Sequence, residues 1–126
     1  MIFYRIIWIK KVKMRNSSEK IAAVIDELEL IKKKIKSPEA NFLHSSFDTQ
    51  EDIISELNNH ILKLKREDFS SIKELIILFA PTSDLQEISI DSGWGQLFLA
   101  ISKRFDSAIN DLIEEFDIEG EQNFLV

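Results

Sequence analysis

The sequence predicts an all-α fold, an antiparallel bundle of four to five helices, and three observations carry that prediction. Only three glycines and two prolines occur in 126 residues, too few for the many tight turns of a β-sandwich or barrel. Apolar residues recur at spacings of three and four through most of the chain, the period of a helix with one buried face. Short links carrying capping residues and proline separate these stripes, as an up-and-down bundle requires.

In the first helix the stripe is Ile21, Val24, Ile25, Leu28, Ile31 and Ile35. Asn16 with Glu19 reads as a capping box at its start, and Ser37-Pro38 ends it, because the residue before proline avoids the helical region. Lys32, Lys33, Lys34 and Lys36 gather at the end, where they suit the negative pole of the helix dipole. A connection follows, with Phe42, Leu43 and Phe47 as its core pins. The second helix opens at Asp48 or Thr49 and carries Ile53, Leu57, Ile61 and Leu64. Ser71 and Glu74 form a capping box for a third, shorter helix stopped by Pro81. Residues 75–79 are apolar on every side, so period alone admits a buried strand, and the capping box favours helix. Residues 82–95 fit either a short helix or a structured loop. Trp94, Phe98, Ile101, Phe105, Ile109, Leu112 and Phe116 mark the last helix, with Gly120 as its left-handed terminator.

Length and composition indicate one helical domain over residues 16–126. A basic and apolar N-terminal extension, residues 1–15, precedes it. Residues 1–12 are β-branched and aromatic enough for a strand, yet a helix docked on the bundle fits as well; Met14 as the natural start is a third reading. The order, apolar then basic, is the reverse of a signal peptide. The apolar run is also far shorter than the roughly 20 residues of a membrane span. The expected location is cytoplasmic. The absence of cysteine removes disulfides, thiolate nucleophiles and iron–sulfur ligation.

Charge is divided along the chain. Residues 1–66 hold 13 Lys/Arg and 9 Asp/Glu, net +4, and residues 67–126 hold 3 Lys/Arg and 13 Asp/Glu, net −10. An acidic field of that kind repels nucleic acid and attracts basic partners. Chemistry-bearing motifs are scarce. His44 and His60 lie in different elements, and no spacing makes them a metal pair with Asp48 or Glu56. His60, beside the second stripe, reads as a structural histidine. No nucleophile elbow, P-loop or dinucleotide fingerprint occurs. No catalytic residue, metal site or cofactor is therefore expected. Asp84, Glu87 and Asp91 share one face if their stretch is helical. The plain reading is that Asp84, with Ser83, caps the helix and the others face water; beyond that they suit a partner epitope better than an ion site. Trp94, between Gly93 and Gly95, is either a core anchor or a binding hot spot.

Residues 78–95, LFAPTSDLQEISIDSGWG, running on to Phe105-Asp106, resemble a segment of small bacterial immunity proteins, the antidotes of contact-dependent inhibition and other polymorphic toxin systems. The resemblance covers about a quarter of the chain and rests on the Pro-Thr-x-x-Leu-Gln-Glu-Ile-Ser turn and the Gly-Trp pair. It implies a cytoplasmic, non-enzymatic protein that occludes a toxin, often a basic nuclease, by stoichiometric binding. The expected partner-binding residues are Asp84, Glu87, Asp91, Trp94, Asp111, Glu114, Glu115 and Asp117, forming one acidic face. The alternative is a helical adaptor or regulatory subunit that forms a homo-oligomer or pairs with another helical protein. An enzyme using Asp84, Glu87 and Asp91 on a bound ion, and membrane-surface attachment through residues 2–15, are weaker readings.

Overall fold

The computed structural model describes residues 2–38, 40–42, 45, 47, 49–81 and 83–118, with side chains from Ser17 onward. It contains α1 (Ile2–Ile35), α2 (Gln50–Lys65), α3 (Ile72–Leu78), α4 (Asp84–Asp91) and α5 (Gly95–Phe116), and no strand among the described residues. The protein is an all-α helical bundle.

The longest pairing is between α1 and α5. Val24, Leu28, Ile31 and Ile35 of α1 are fully buried, as are Phe98, Ile101, Phe105, Ile109, Leu112 and Ile113 of α5. Polar contacts along the edges of this seam set an antiparallel register. Ser17 Oγ donates to Glu115 Oε2 at 2.7 Å, and Lys20 Nζ lies 3.3 Å from the same carboxylate. Further along, Arg104 Nε donates to both carboxylate oxygens of Glu27 at 3.2 Å. At the far end the Lys34 ammonium stands 6.0 Å from the Trp94 ring centroid.

α1 does not begin at Asn16. It runs unbroken through that residue from Ile2, so the Asn16–Glu19 pair sits inside a helix and caps nothing. Upstream of it no glycine or proline interrupts the chain, and a residue with helical neighbours on both sides cannot adopt the extended backbone of a cap. The same finding makes residues 2–12 helical rather than a strand.

At the other end α1 stops where Pro38 requires. Gln50 Nε2 donates to the Ile35 carbonyl at 2.6 Å, satisfying one of the orphan acceptors of that terminus. Thr49 caps α2 by accepting from Asp52 N, and Ile53, Leu57, Ile61 and Leu64 are buried as the stripe predicts. α2 ends with Glu67 in the left-handed region (φ 57), Asp68 N donating back to Lys63 O at 2.9 Å. α3 is a helix and not a strand, but Ser71 makes no side-chain cap. Its hydroxyl lies 3.4 Å from His60 Nδ1. Among the described residues the buried imidazole finds its side-chain partner in this hydroxyl, whereas the first N–H groups of an exposed helix end can use water.

The residue after α3, Phe79, stacks on Phe105 with centroids 3.9 Å apart and an interplanar angle of 7°, and lies parallel to Phe98 at 6.1 Å. That stack fixes where the Pro81 turn delivers α4. Ser83 caps α4 by accepting from Gln86 N, and Leu85, Ile88 and Ser89 are its buried side. Residues 84–91 are thus a helix, which settles the open reading of that stretch. Gly93 supplies the positive φ (+87) that turns the chain into α5. The left-handed terminator of α5 is Asp117 (φ 51) rather than a glycine, with Ile118 N donating to Ile113 O at 3.1 Å. Asp tolerates this conformation better than most residues; Gly120 lies outside the described residues.

Two stability outcomes follow from this packing. Phe105→Ala, which empties the centre of the aromatic stack, is expected to cost about 3–5 kcal/mol in urea denaturation, against under about 0.5 kcal/mol for Leu99→Ala at an exposed position. Glu67→Gly should raise stability by roughly 0.5–1 kcal/mol, because a left-handed backbone strains any residue with a Cβ.

Candidate functional site

The eight residues expected to form one acidic face do not do so. Asp84, Glu87 and Asp91 are half-buried along α4, opposite its apolar side. Asp111 and Glu114 are exposed in the last turns of α5, with Asp117 just after them. At 1.5 Å per residue the two ends of α5 are roughly 25–33 Å apart, so Asp91 and the terminal acids belong to separate surfaces. Two residues leave the face altogether. Glu115 is held against α1 by Ser17 and Lys20. Trp94 is only 7% exposed, packed edge-on to Phe98, and its indole N–H has no acceptor among the described residues. Its ring anchors the core.

What the fold does assemble is a groove where α2, α3 and α4 meet. Glu56 comes from α2, Glu74, Ile77 and Leu78 from α3, and Ser83 and Asp84 from the start of α4; Phe47, before α2, also lines it. The groove is open and holds about 560 Å³. Each contributor is placed by a core contact one or two residues away. Leu57 is fully buried beside Glu56, Leu75 beside Glu74, and Leu85 beside Asp84. Ile77, half-exposed, borders the groove as bare apolar surface.

Burial pushes the Glu56 carboxyl above its usual range, and the Asp84 carboxylate adds to that rise. A half-buried glutamate whose charge is disfavoured by burial and by the Asp84 carboxylate, beside apolar Ile77 and Leu78, suits a cation on an apolar stem. Lysine and arginine side chains have that shape. Among the described residues no three His, Asp or Glu side chains lie close enough to hold a metal ion, so neither the α4 acids nor the groove acids converge on one. No described helix is long and apolar enough to cross a membrane.

His60 lies at the α2–α3 junction, 6% exposed, with Ser71 as its partner. Burial lowers its pKa below the ordinary 6.5, Lys63 lowers it further, and Glu74 opposes them. This is the structural histidine the stripe predicts. His44 and Asp48 lie outside the described residues.

Glu56 and Glu74 are the groove residues that sequence reasoning did not join to Asp84. Glu56 entered only as a candidate ligand beside histidines, and Glu74 only as half of a capping box. The available signal was Glu56 next to a core leucine on the rim of its stripe, where a carboxylate is partly desolvated. Comparison of the chain with protein-family models, curated proteins and solved structures finds no match.

Both shifted groups make checkable statements about pH. The folded pKa of Glu56 lies above its unfolded value, so the folded state binds the proton more tightly and stability falls as pH rises through that range. Glu56→Gln should therefore raise the thermal midpoint near pH 7 and leave it little changed in acid. His60 is shifted the opposite way: its folded pKa lies below 6.5, so stability is present at higher pH and lost as pH falls through 6.5 toward the folded value. Replacing it by glutamine should flatten the loss of stability on acidification below 6.5, read by urea denaturation at a series of pH values.

Proposed function

We propose that this chain is a toxin-neutralising immunity protein, a non-enzymatic binding protein acting in the cytoplasm that occludes a basic, nuclease-type toxin domain stoichiometrically. The observation that carries this reading is the groove itself, in which burial and the nearby Asp84 carboxylate disfavour the charge of Glu56 beside apolar surface. A lysine or arginine from the partner would relieve that repulsion and lay its aliphatic stem on Ile77 and Leu78. The net charge of −10 over residues 67–126 supports it, since that field accelerates encounter with a basic surface. So does the resemblance of residues 78–106 to immunity proteins, because that segment contributes Leu78, Ser83 and Asp84 to the groove.

Under this reading the two acidic surfaces have different roles. Asp84, with Glu56, would seat a partner side chain and govern dissociation. Asp111, Glu114 and Asp117, exposed at the far end of α5, would act over distance on association alone. Glu87 and Asp91 extend the acidic side of α4 next to the seat. No metal or cofactor takes part.

The test begins with tagged full-length protein used to capture partners from the native host's lysate. A single dominant protein with a toxic carboxy-terminal domain is expected. With that domain purified, the double variant Glu56→Gln/Asp84→Asn should dissociate at least tenfold faster while melting no lower than wild type. Glu114→Lys should slow association severalfold at low salt and have no effect at high salt. Capture of a housekeeping complex alone would remove the toxin assignment, and unchanged dissociation of the double variant would remove the groove as the seat.

A further inference from the structure

The part of α1 beyond the bundle carries a second inference, independent of the toxin-neutralising reading. In the antiparallel register Ser17 is level with Glu115, one residue before α5 ends at Phe116. α2 starts level with Ile35, where Gln50 meets its carbonyl, and runs back only 16 residues. Helix continues from residue 16 to Ile2, so α1 extends past both neighbours by about 22 Å at 1.5 Å per residue.

The sequence on that extension is not that of a bundle helix. Residues 2–9 are Ile, Phe, Tyr, Arg, Ile, Ile, Trp and Ile. At 100° per residue the apolar ones cover roughly three quarters of the circumference, and Arg5 alone interrupts them. A helix apolar over so much of its circumference belongs in a core or in lipid, whereas a paired helix shows one narrow stripe. Immediately afterwards come Lys10, Lys11, Lys13 and Arg15, and residues 1–15 contain no acid. Tyr4 and Trp8 are of the two types that concentrate at membrane–water interfaces. The eight residues from Ile2 to Ile9 span about 12 Å, and no described helix is long and apolar enough to cross a membrane. Nucleic acid would match the bases but leave the apolar ring without a role.

We propose that residues 2–15 of α1 form a membrane-surface anchor, in which the apolar helix from Ile2 to Ile9 embeds in the interfacial layer of an anionic phospholipid bilayer and the collar of Lys10, Lys11, Lys13 and Arg15 binds its headgroups. Arg5, about 7.5 Å along the axis from Lys10, lies within the reach over which long basic side chains return to headgroup depth. The bundle, joined across α1 and α5 by Ser17, Lys20 and Glu27, stays in water.

Vesicle co-sedimentation of the full chain tests the anchor, using phosphatidylcholine vesicles with and without phosphatidylserine. Wild type is expected to sediment with the anionic vesicles and at least tenfold less with the neutral ones. Ile6→Glu/Trp8→Glu and, separately, Lys10→Glu/Lys11→Glu should each reduce anionic-vesicle binding at least tenfold, with thermal melting of the bundle unchanged. Protein that stays in the supernatant with anionic vesicles, or variants that sediment like wild type, would overturn the proposal. So would a lipid-free dimer, seen by light scattering and dissolved by the Ile6→Glu/Trp8→Glu change, since the apolar helix would then be covered by a second copy.

Discussion

Everything else in this structure depends on the antiparallel seam between α1 and α5. Four aliphatic side chains of α1 and six apolar side chains of α5 are buried in the core, and no other pair of described helices is in more extensive contact. The seam also has a unique register. Sliding it would break Ser17 and Lys20 from Glu115 and Arg104 from Glu27 together. Exposed ion pairs contribute little stability individually, but they make the alternatives worse, which is enough to choose among registers of a nearly continuous apolar stripe.

The remaining helices are arranged on that seam by aromatic contacts. Phe79 reaches α5 at Phe105 and Phe98, and Phe69 meets Phe116 at 4.8 Å. These contacts hold both sides of the short α3 and thereby the turn into α4. The acidic groove follows from this arrangement: Glu56, Glu74 and Asp84 are each next in sequence to a buried leucine, so core packing fixes the backbone from which each carboxylate reaches the groove. A charge disfavoured by its surroundings is a common mark of binding sites, where stability is given up for function.

The helices were legible in the sequence wherever a stripe met a breaker. The stripe from Ile53 to Leu64 and that from Phe98 to Leu112 are buried as read, because burial on one face imposes the period that the eye finds. Local signals misled where a tertiary demand competed with them. Asn16 and Glu19 have the spacing of a capping box, but the helix was already under way. Ser71 has a cap's identity, yet His60 took its hydroxyl. Gly120 looked like the terminator of α5, while Asp117 met the same backbone need one turn of chain earlier. The site was less legible than the fold. Asp84 is identifiable by its neighbours in sequence, but its place beside Glu56 depends on how α2, α3 and α4 come together at the groove, which no local pattern encodes. Charge counting also merged α4 and the end of α5 into one face, because it ignores the length of a helix of 22 residues.

The central claim is that the fold holds Glu56 and Asp84 in a groove built to receive a cation. Carbon-detected NMR titration of the Glu56 side-chain carboxyl, first alone and then with an arginine-rich peptide as the cationic probe, tests it most directly. A titration midpoint above the usual glutamate range in the free protein, lowered in Asp84→Asn and lowered again by the peptide, is the predicted result. A Glu56 carboxyl that titrates like a solvent-exposed glutamate and ignores both changes would contradict the account.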